Sequence, residues 1–287
     1  MFATLKKLIM VSRPISWVNT AYPFAVAYWL AGGQDITLLV VGTIFFLIPY
    51  NLLMYGVNDI FDYESDIRNP RKGGIEGMRE QKELHPVIAR AVVLTTIPFV
   101  VYMLCAGTLT SNIVLMAVLF FVVAYSIAGL RFKERPFLDS LTSSLHFVGP
   151  AIYALSLTTF SEAALPYIIA FLLWGMASHA FGAVQDIIPD RQGKLASIAT
   201  CLGARKTVYF AGTLYLLAAA VLLMQPVPYS VLGLVCIAYV VNILPLHSVT
   251  DASSGTANKP WRRFIWLNLA AGFVITMLLI STQVINT

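Results

Sequence analysis

Apolar residues run along this chain in long, nearly uninterrupted stretches, and polar residues gather in short clusters between them. Several stretches approach or exceed the roughly 20 residues that a helix needs to cross a bilayer. The pattern predicts nine helices, near 15–32, 36–57, 88–108, 112–130, 137–158, 164–185, 206–224, 229–247 and 264–283. Gly32-Gly33, Gly107 with Ser111, Pro136, Pro166, and Pro226 with Pro228 punctuate them. The fifth stretch carries Ser143, Ser144, His146 and Pro150, which makes it the least lipid-like and places it inside the bundle. The fold class expected is an all-α membrane protein, one domain over residues 1–287.

Composition supports this reading. Of the 287 residues, 58% are hydrophobic and 11% charged, against roughly 25% charged in a soluble domain. Lys6, Lys7 and Arg13 precede the first apolar run, and Ala31-Gly32-Gly33 offers small residues for cleavage. A run of about 20 residues nevertheless suits a span better than a signal peptide. Cys105, Cys201 and Cys236 are scattered and form neither a zinc pattern nor a disulfide framework. The net charge of +5 lies in loops between spans, so an anionic leaflet or a diphosphate fits it better than nucleic acid.

Threading nine spans with the N-terminus in the cytoplasm puts all 19 Lys and Arg residues on the cytoplasmic side. The opposite loops keep only Asp35 and Glu162. That asymmetry follows the positive-inside rule and predicts a multi-pass protein of the cell membrane.

The second span ends in Asn58-Asp59-Ile60-Phe61-Asp62-Tyr63-Glu64-Ser65-Asp66. On a helix Asn58, Asp62 and Asp66 align at i, i+4 and i+8. Carboxylates packed this closely repel unless a counter-charge joins them. Magnesium supplies one, because it takes one or two carboxylates plus phosphate oxygens and water. The sixth span ends in Gln185-Asp186-Ile187-Ile188-Pro189-Asp190-Arg191, where Asp186 and Asp190 are again four apart and Pro189 is expected to distort or end the helix. Four spans separate the motifs, so both fall on the cytoplasmic face. Together they suit a cavity open to that side, in which Asn58, Asp59, Asp62, Asp66, Asp186 and Asp190 hold magnesium around a diphosphate. Arg68, Arg71, Lys72, Lys133, Arg191 and Lys194 are the candidate diphosphate-binding cations, with Arg131 and Arg135 beside them. Diphosphate leaves readily only when its developing charge is stabilised.

Each motif taken singly also reads as a solvated loop at a span end. Shared sidedness and adjoining cations favour chemistry. A transporter is the alternative from another class, but its acidic residues would stand at mid-membrane rather than at helix ends. The echo between the motifs hints at two related halves, roughly 1–130 and 131–287.

At these motifs the chain resembles the UbiA superfamily of intramembrane prenyltransferases, whose pattern is NDxxDxxxD after the second helix and DxxxD after the sixth. Tyr125-Ser126 through Leu130-Arg131-Phe132-Lys133 is similar to the superfamily's YSxxxLRxK stretch. Within it, residues Ser12 to Pro23, Phe46 to Asn51, Arg68 to Gly74, Arg131 to Phe137 and Leu173 to Ser178 resemble lycopene elongases of C50 carotenoid pathways. The resemblance implies transfer of dimethylallyl units from dimethylallyl diphosphate to lycopene, giving C45 and C50 products, with carotenoid cyclases as candidate partners. Other acceptors of the superfamily are quinone precursors, chlorophyllide, haem and glycerol lipids. Gln185 and Pro189 depart from relatives that carry further acidic residues there.

An apolar polyene needs a long apolar channel open to lipid, for which Trp17, Tyr22, Phe24, Phe147, Tyr153 and Trp174 are wall candidates, packing being the commoner role. His146 and His179 lie within predicted spans. For His179, seven residues before Asp186, the readings are a cavity-lining proton acceptor or an interhelical hydrogen bond. The loop from Ile67 to Pro86 reads either as a lid over the diphosphate or as a plain connection.

Overall fold

The computed structural model describes residues 2–63, 82–159 and 161–285. Among these residues the chain is helical and has no strand. The long helices are α1 (Phe2–Val11), α2 (Val18–Leu30), α3 (Ile36–Leu47), α4 (Pro49–Phe61), α5 (His85–Ala106), α6 (Leu109–Ser126), α7 (Leu138–Ser156) and α8 (Leu165–Val184). After two short helices, α9 (Ile187–Gln192) and α10 (Ile198–Leu202), come α11 (Ala204–Leu223), α12 (Val231–Ile243) and α13 (Asn258–Ile285). Six helical stretches among the described residues are long and apolar enough to cross a membrane, α3 and α4 counting as one of them. The chain is a multi-pass membrane protein.

Polar residues keep α7 out of that set, as its sequence suggests. No residue from Leu138 to Thr158 is exposed. By contrast, α5 turns Val93, Leu94, Ile97 and Val101 outward, a lipid-facing stripe at helical spacing.

The chain divides into two compact units, one of Met1–Lys133 with Leu145–Glu162, the other of Glu134–Ser144 with Ala163–Thr287. In the first, Pro49 breaks the second apolar stretch into α3 and α4, because proline supplies no N–H to continue the ladder. An unpaired carbonyl is costly inside a membrane. Thr20 Oγ1 therefore donates to the Phe46 carbonyl at 2.6 Å, and Asn51 Nδ2 donates to the Phe46 and Leu47 carbonyls at 2.9 and 3.0 Å. Phe24, Phe46, Tyr50 and Tyr153 are fully buried around this break, with ring centroids 5.0–6.0 Å apart. The break fixes the direction of α4, which carries the first motif.

In the second unit α8 packs along α11 through small residues, Ala177 and Ala180 with Ala211. Such residues let membrane helices approach closely. At Gly175 a Cβ would stand 2.2 Å from Ser144 Oγ, so only glycine lets α8 pass the start of α7. The Ser144 hydroxyl then reaches the Leu172 carbonyl at 2.8 Å. Trp174, Phe264 and Trp261 stack in this core, and Tyr239 meets Trp174 edge-on. Phe24, Tyr153 and Trp174 are thus packing residues within their own units.

Candidate active site

The last turn of α4 builds the first motif. The Asp62 N–H closes on the Asn58 carbonyl at 2.9 Å and Asp62 caps the helix, so the four-residue spacing is realised. Asn58 Nδ2 donates to Asp62 Oδ2 at 2.6 Å and to Ser126 Oγ on α6 at 3.1 Å. Lys133 Nζ contacts Asp62 Oδ1, and an Arg131 guanidinium nitrogen lies 3.6 Å from the same oxygen. Asp62 is only 6% exposed. Burial in a medium of low dielectric strengthens each of these interactions.

Asp59, expected among the metal-binding oxygens, has a different partner. Asp59 stands one residue, about 100°, round the helix from Asn58. Arg13 donates to its Oδ1 at 3.0 Å, across 46 residues of sequence. The Arg13 guanidinium also lies over the Tyr55 ring, 4.1 Å from its centroid. Nothing local in the sequence links Arg13 to Asp59.

Asp66, Arg68, Arg71 and Lys72 lie outside the described residues, as does most of the loop proposed as a lid.

The second motif follows α8. The helix is interrupted there, as Pro189 leads one to expect, and α8 ends at Val184. Asp186 stands at the N-cap position of α9 without a side-chain capping bond, and Pro189 falls in the first turn, where a missing N–H costs nothing. The Asp190 N–H donates to the Asp186 carbonyl at 2.8 Å, and both side chains are half-buried. Ser197 Oγ donates to Asp190 Oδ2 at 3.5 Å. Gln185, the departure from an acidic residue, is buried and structural. Its Oε1 accepts from Asn258 at 2.8 Å and its Nε2 donates to the Gly182 carbonyl at 3.1 Å. Arg191 pairs with Asp251 Oδ2 at 2.7 Å, and Asp251 Oδ1 accepts from the Ala204 N–H at 2.7 Å. Lys194 is exposed.

Arg13, Arg131 and Lys194 share a further feature, a left-handed backbone with φ of 50°, 40° and 56°. For a side-chain-bearing residue this costs roughly 1–2 kcal/mol. Such strain gathers at functional sites.

His146 proves to be a packing residue. It is buried, its Nε2 lies 3.3 Å from the Phe121 carbonyl, and its ring meets Tyr125 edge-on at 4.9 Å. His179 lies 3.6 Å from Asp139 Oδ2.

Among the described residues no group of three or more His, Cys, Asp or Glu gathers to hold a metal. The donor chemistry at the first motif nevertheless suits magnesium. Both hydrogen bonds recorded for Asn58 leave from Nδ2, so its Oδ1 remains an oxygen donor beside the Asp62 carboxylate. Magnesium needs no more than one or two carboxylates from the protein.

The model of the UbiA prenyltransferase family matches residues 20–280. The chain belongs to the UbiA prenyltransferase family. It is 48% identical to a lycopene elongase/hydratase of Corynebacterium glutamicum, over 98% of this chain and 99% of that one. It is 50% identical to the C(50) beta-cyclic carotenoids biosynthesis protein LbtBC of Dietzia sp., over 96% of this chain but 65% of the relative. A UbiA homolog from Archaeoglobus fulgidus, solved with DMAPP and Mg2+, superposes with a TM-score of 0.65 at 17% identity, covering 92% of this chain and 98% of that one. That likeness shows the UbiA fold. As a family member the chain is a prenyltransferase.

Proposed function

We propose that this UbiA prenyltransferase is a lycopene elongase, transferring dimethylallyl units from dimethylallyl diphosphate to the ends of lycopene. The 48% identity to the C. glutamicum lycopene elongase/hydratase over nearly the full length carries this reading. In the proposed reaction the C–O bond of the diphosphate ester breaks, and its electron pair leaves with the diphosphate. A terminal double bond of lycopene then attacks the allylic carbon. The new C–C bond leaves a tertiary cation that loses a proton or takes up water.

This chain's part is charge and exclusion of water. Asp62, Asn58 and Asp66 from the first motif, with Asp186 and Asp190 from the second, are the proposed oxygen donors for magnesium. When bound, magnesium supplies positive charge to the diphosphate oxygens. Lys133 already sits on Asp62, so its ammonium is in place to balance the leaving group. Arg68, Arg71, Lys72, Arg191 and Lys194 are proposed to complete that role. The Arg13 pair makes Asp59 a support for the turn. Nine spans, a cytoplasmic N-terminus, two related halves and a cavity open to the cytoplasm belong to the same proposal. The sidedness of the 19 basic residues supports it.

Expression in a lycopene-producing host, with mass analysis of the pigments, tests the acceptor. C45 and C50 carotenoids are expected. Unaltered lycopene from a membrane-inserted protein overturns the assignment.

A further inference from the structure

Asp139 opens α7, and the chemistry above does not use it. It is fully buried. A carboxylate in such a place requires donors, and Asp139 has them. Its Oδ1 accepts from the Ser140 N–H at 2.7 Å and from the Ser140 hydroxyl at 3.3 Å. Its Oδ2 accepts from the Ile198 N–H at 2.6 Å, across 59 residues of sequence, and lies 3.6 Å from His179 Nε2.

These two partners of Oδ2 bracket the second motif. His179 stands on α8 before Asp186, and Ile198 opens α10 after Asp190. A single carboxylate oxygen therefore meets both flanks of the segment that carries Asp186 and Asp190, hydrogen-bonded to Ile198 and near His179. Within the bracket, the Leu195 N–H donates to the Asp190 carbonyl at 2.8 Å. Ser197, next to Ile198, directs its hydroxyl to Asp190 Oδ2 at 3.5 Å. The contacts run from Asp139 through Ile198 and Ser197 to the Asp190 carboxylate.

We propose that Asp139 is the positioning residue of the second aspartate motif, holding the turn so that Asp186 and Asp190 can bind a divalent cation with its diphosphate. The proposal rests on the reading that those two aspartates are ligands. Residues behind metal ligands typically set affinity by a factor of about 10–100. Asp139→Asn keeps the shape but turns one acceptor into an amide donor, which then faces the N–H of Ser140 or of Ile198. His179→Gln keeps a side-chain N–H for Asp139, whereas His179→Ala removes it. A proton-accepting role for His179 would be lost equally in both.

The test uses the full-length protein in detergent, with Mn2+ binding followed by electron paramagnetic resonance in the presence of dimethylallyl diphosphate. Steady-state kinetics and a thermal midpoint accompany it. Asp139→Asn is expected to weaken Mn2+ binding about tenfold or more and to raise KM for dimethylallyl diphosphate by a similar factor. KM for lycopene should stay unchanged. His179→Ala should follow Asp139→Asn, and His179→Gln should stay near the native protein. Native Mn2+ affinity in folded Asp139→Asn overturns the proposal. If that variant does not fold, native affinity in His179→Ala overturns it instead. Asp186→Ala and Asp190→Ala set the reference. Native binding in both removes the ligand reading and this proposal together, whereas weakened binding there with native binding in Asp139→Asn removes the positioning role alone.

Discussion

The two aspartate motifs look alike in sequence, yet the two units hold them by different means. In the first unit Asp59 and Asp62 are each 6% exposed, and each meets a cation of its own, Arg13 for one and Lys133 for the other. In the second unit Asp186 and Asp190 are half-buried, backbone hydrogen bonds close the turn that carries them, and a serine hydroxyl reaches Asp190. The basic residue beside them, Arg191, pairs with Asp251. Burial accounts for the first arrangement, because a buried carboxylate without a partner is strongly destabilising. The first motif is therefore a charge-balanced core, and the described hydrogen bonds of the second shape its turn.

The largest expected break in this contrast comes from Asp62→Ala. Turnover should fall by about a thousandfold, roughly 4 kcal/mol in the barrier. Transfer of label from dimethylallyl diphosphate in membranes checks it, with insertion confirmed by blot. Arg13→Ala comes next, because it takes the guanidinium away from the buried Asp59 charge. A loss of about 3 kcal/mol in unfolding free energy is expected. Asp59→Asn added to Arg13→Ala should recover part of it, and a denaturant titration in micelles would show whether it does. Full recovery of activity in that double variant would confirm that Asp59 supports the turn rather than binding metal.

Lys133→Met removes a charge from Asp62 while keeping the aliphatic stem. Turnover is expected to drop about a hundredfold, with the loss appearing in kcat measured at saturating magnesium. The smallest effect belongs to the second unit. Arg191 and Asp251 are both exposed, 48% and 39% by side chain, and such pairs contribute about 0–1 kcal/mol. Arg191→Gln should leave the thermal midpoint close to native. A fall in stability as large as that of Arg13→Ala would instead make the Arg191–Asp251 pair structural and erase the contrast between the motifs.

The long apolar helices were legible because their runs are long, whereas the helix Phe2–Val11 and the break at Pro49 were not. The polar interior of α7 was legible as well, from Ser143, Ser144 and His146. Asn58 and Asp62 could be placed together from their spacing, since four residues make nearly one helical turn. The partners that complete each motif were not. Arg13, Asp139 and Asp251 act across 46, 59 and 47 residues respectively, and no local pattern marks such pairs. Pro189 marked the interruption after Val184, but the sequence does not reveal that a new helix begins at Ile187 with the proline in its first turn. Gln185 read as a missing acid, yet its amide both accepts and donates, which a carboxylate would not do.

The central claim is that aspartates from both motifs hold one metal-bound diphosphate. The most direct measurement is an experimental structure of the chain with magnesium and a thiolodiphosphate analogue of dimethylallyl diphosphate. Asp62 and Asp190 are predicted to coordinate metal ions bound to the same diphosphate, with Lys133 turned to its oxygens. A diphosphate held by one motif while the other stays remote would contradict the account.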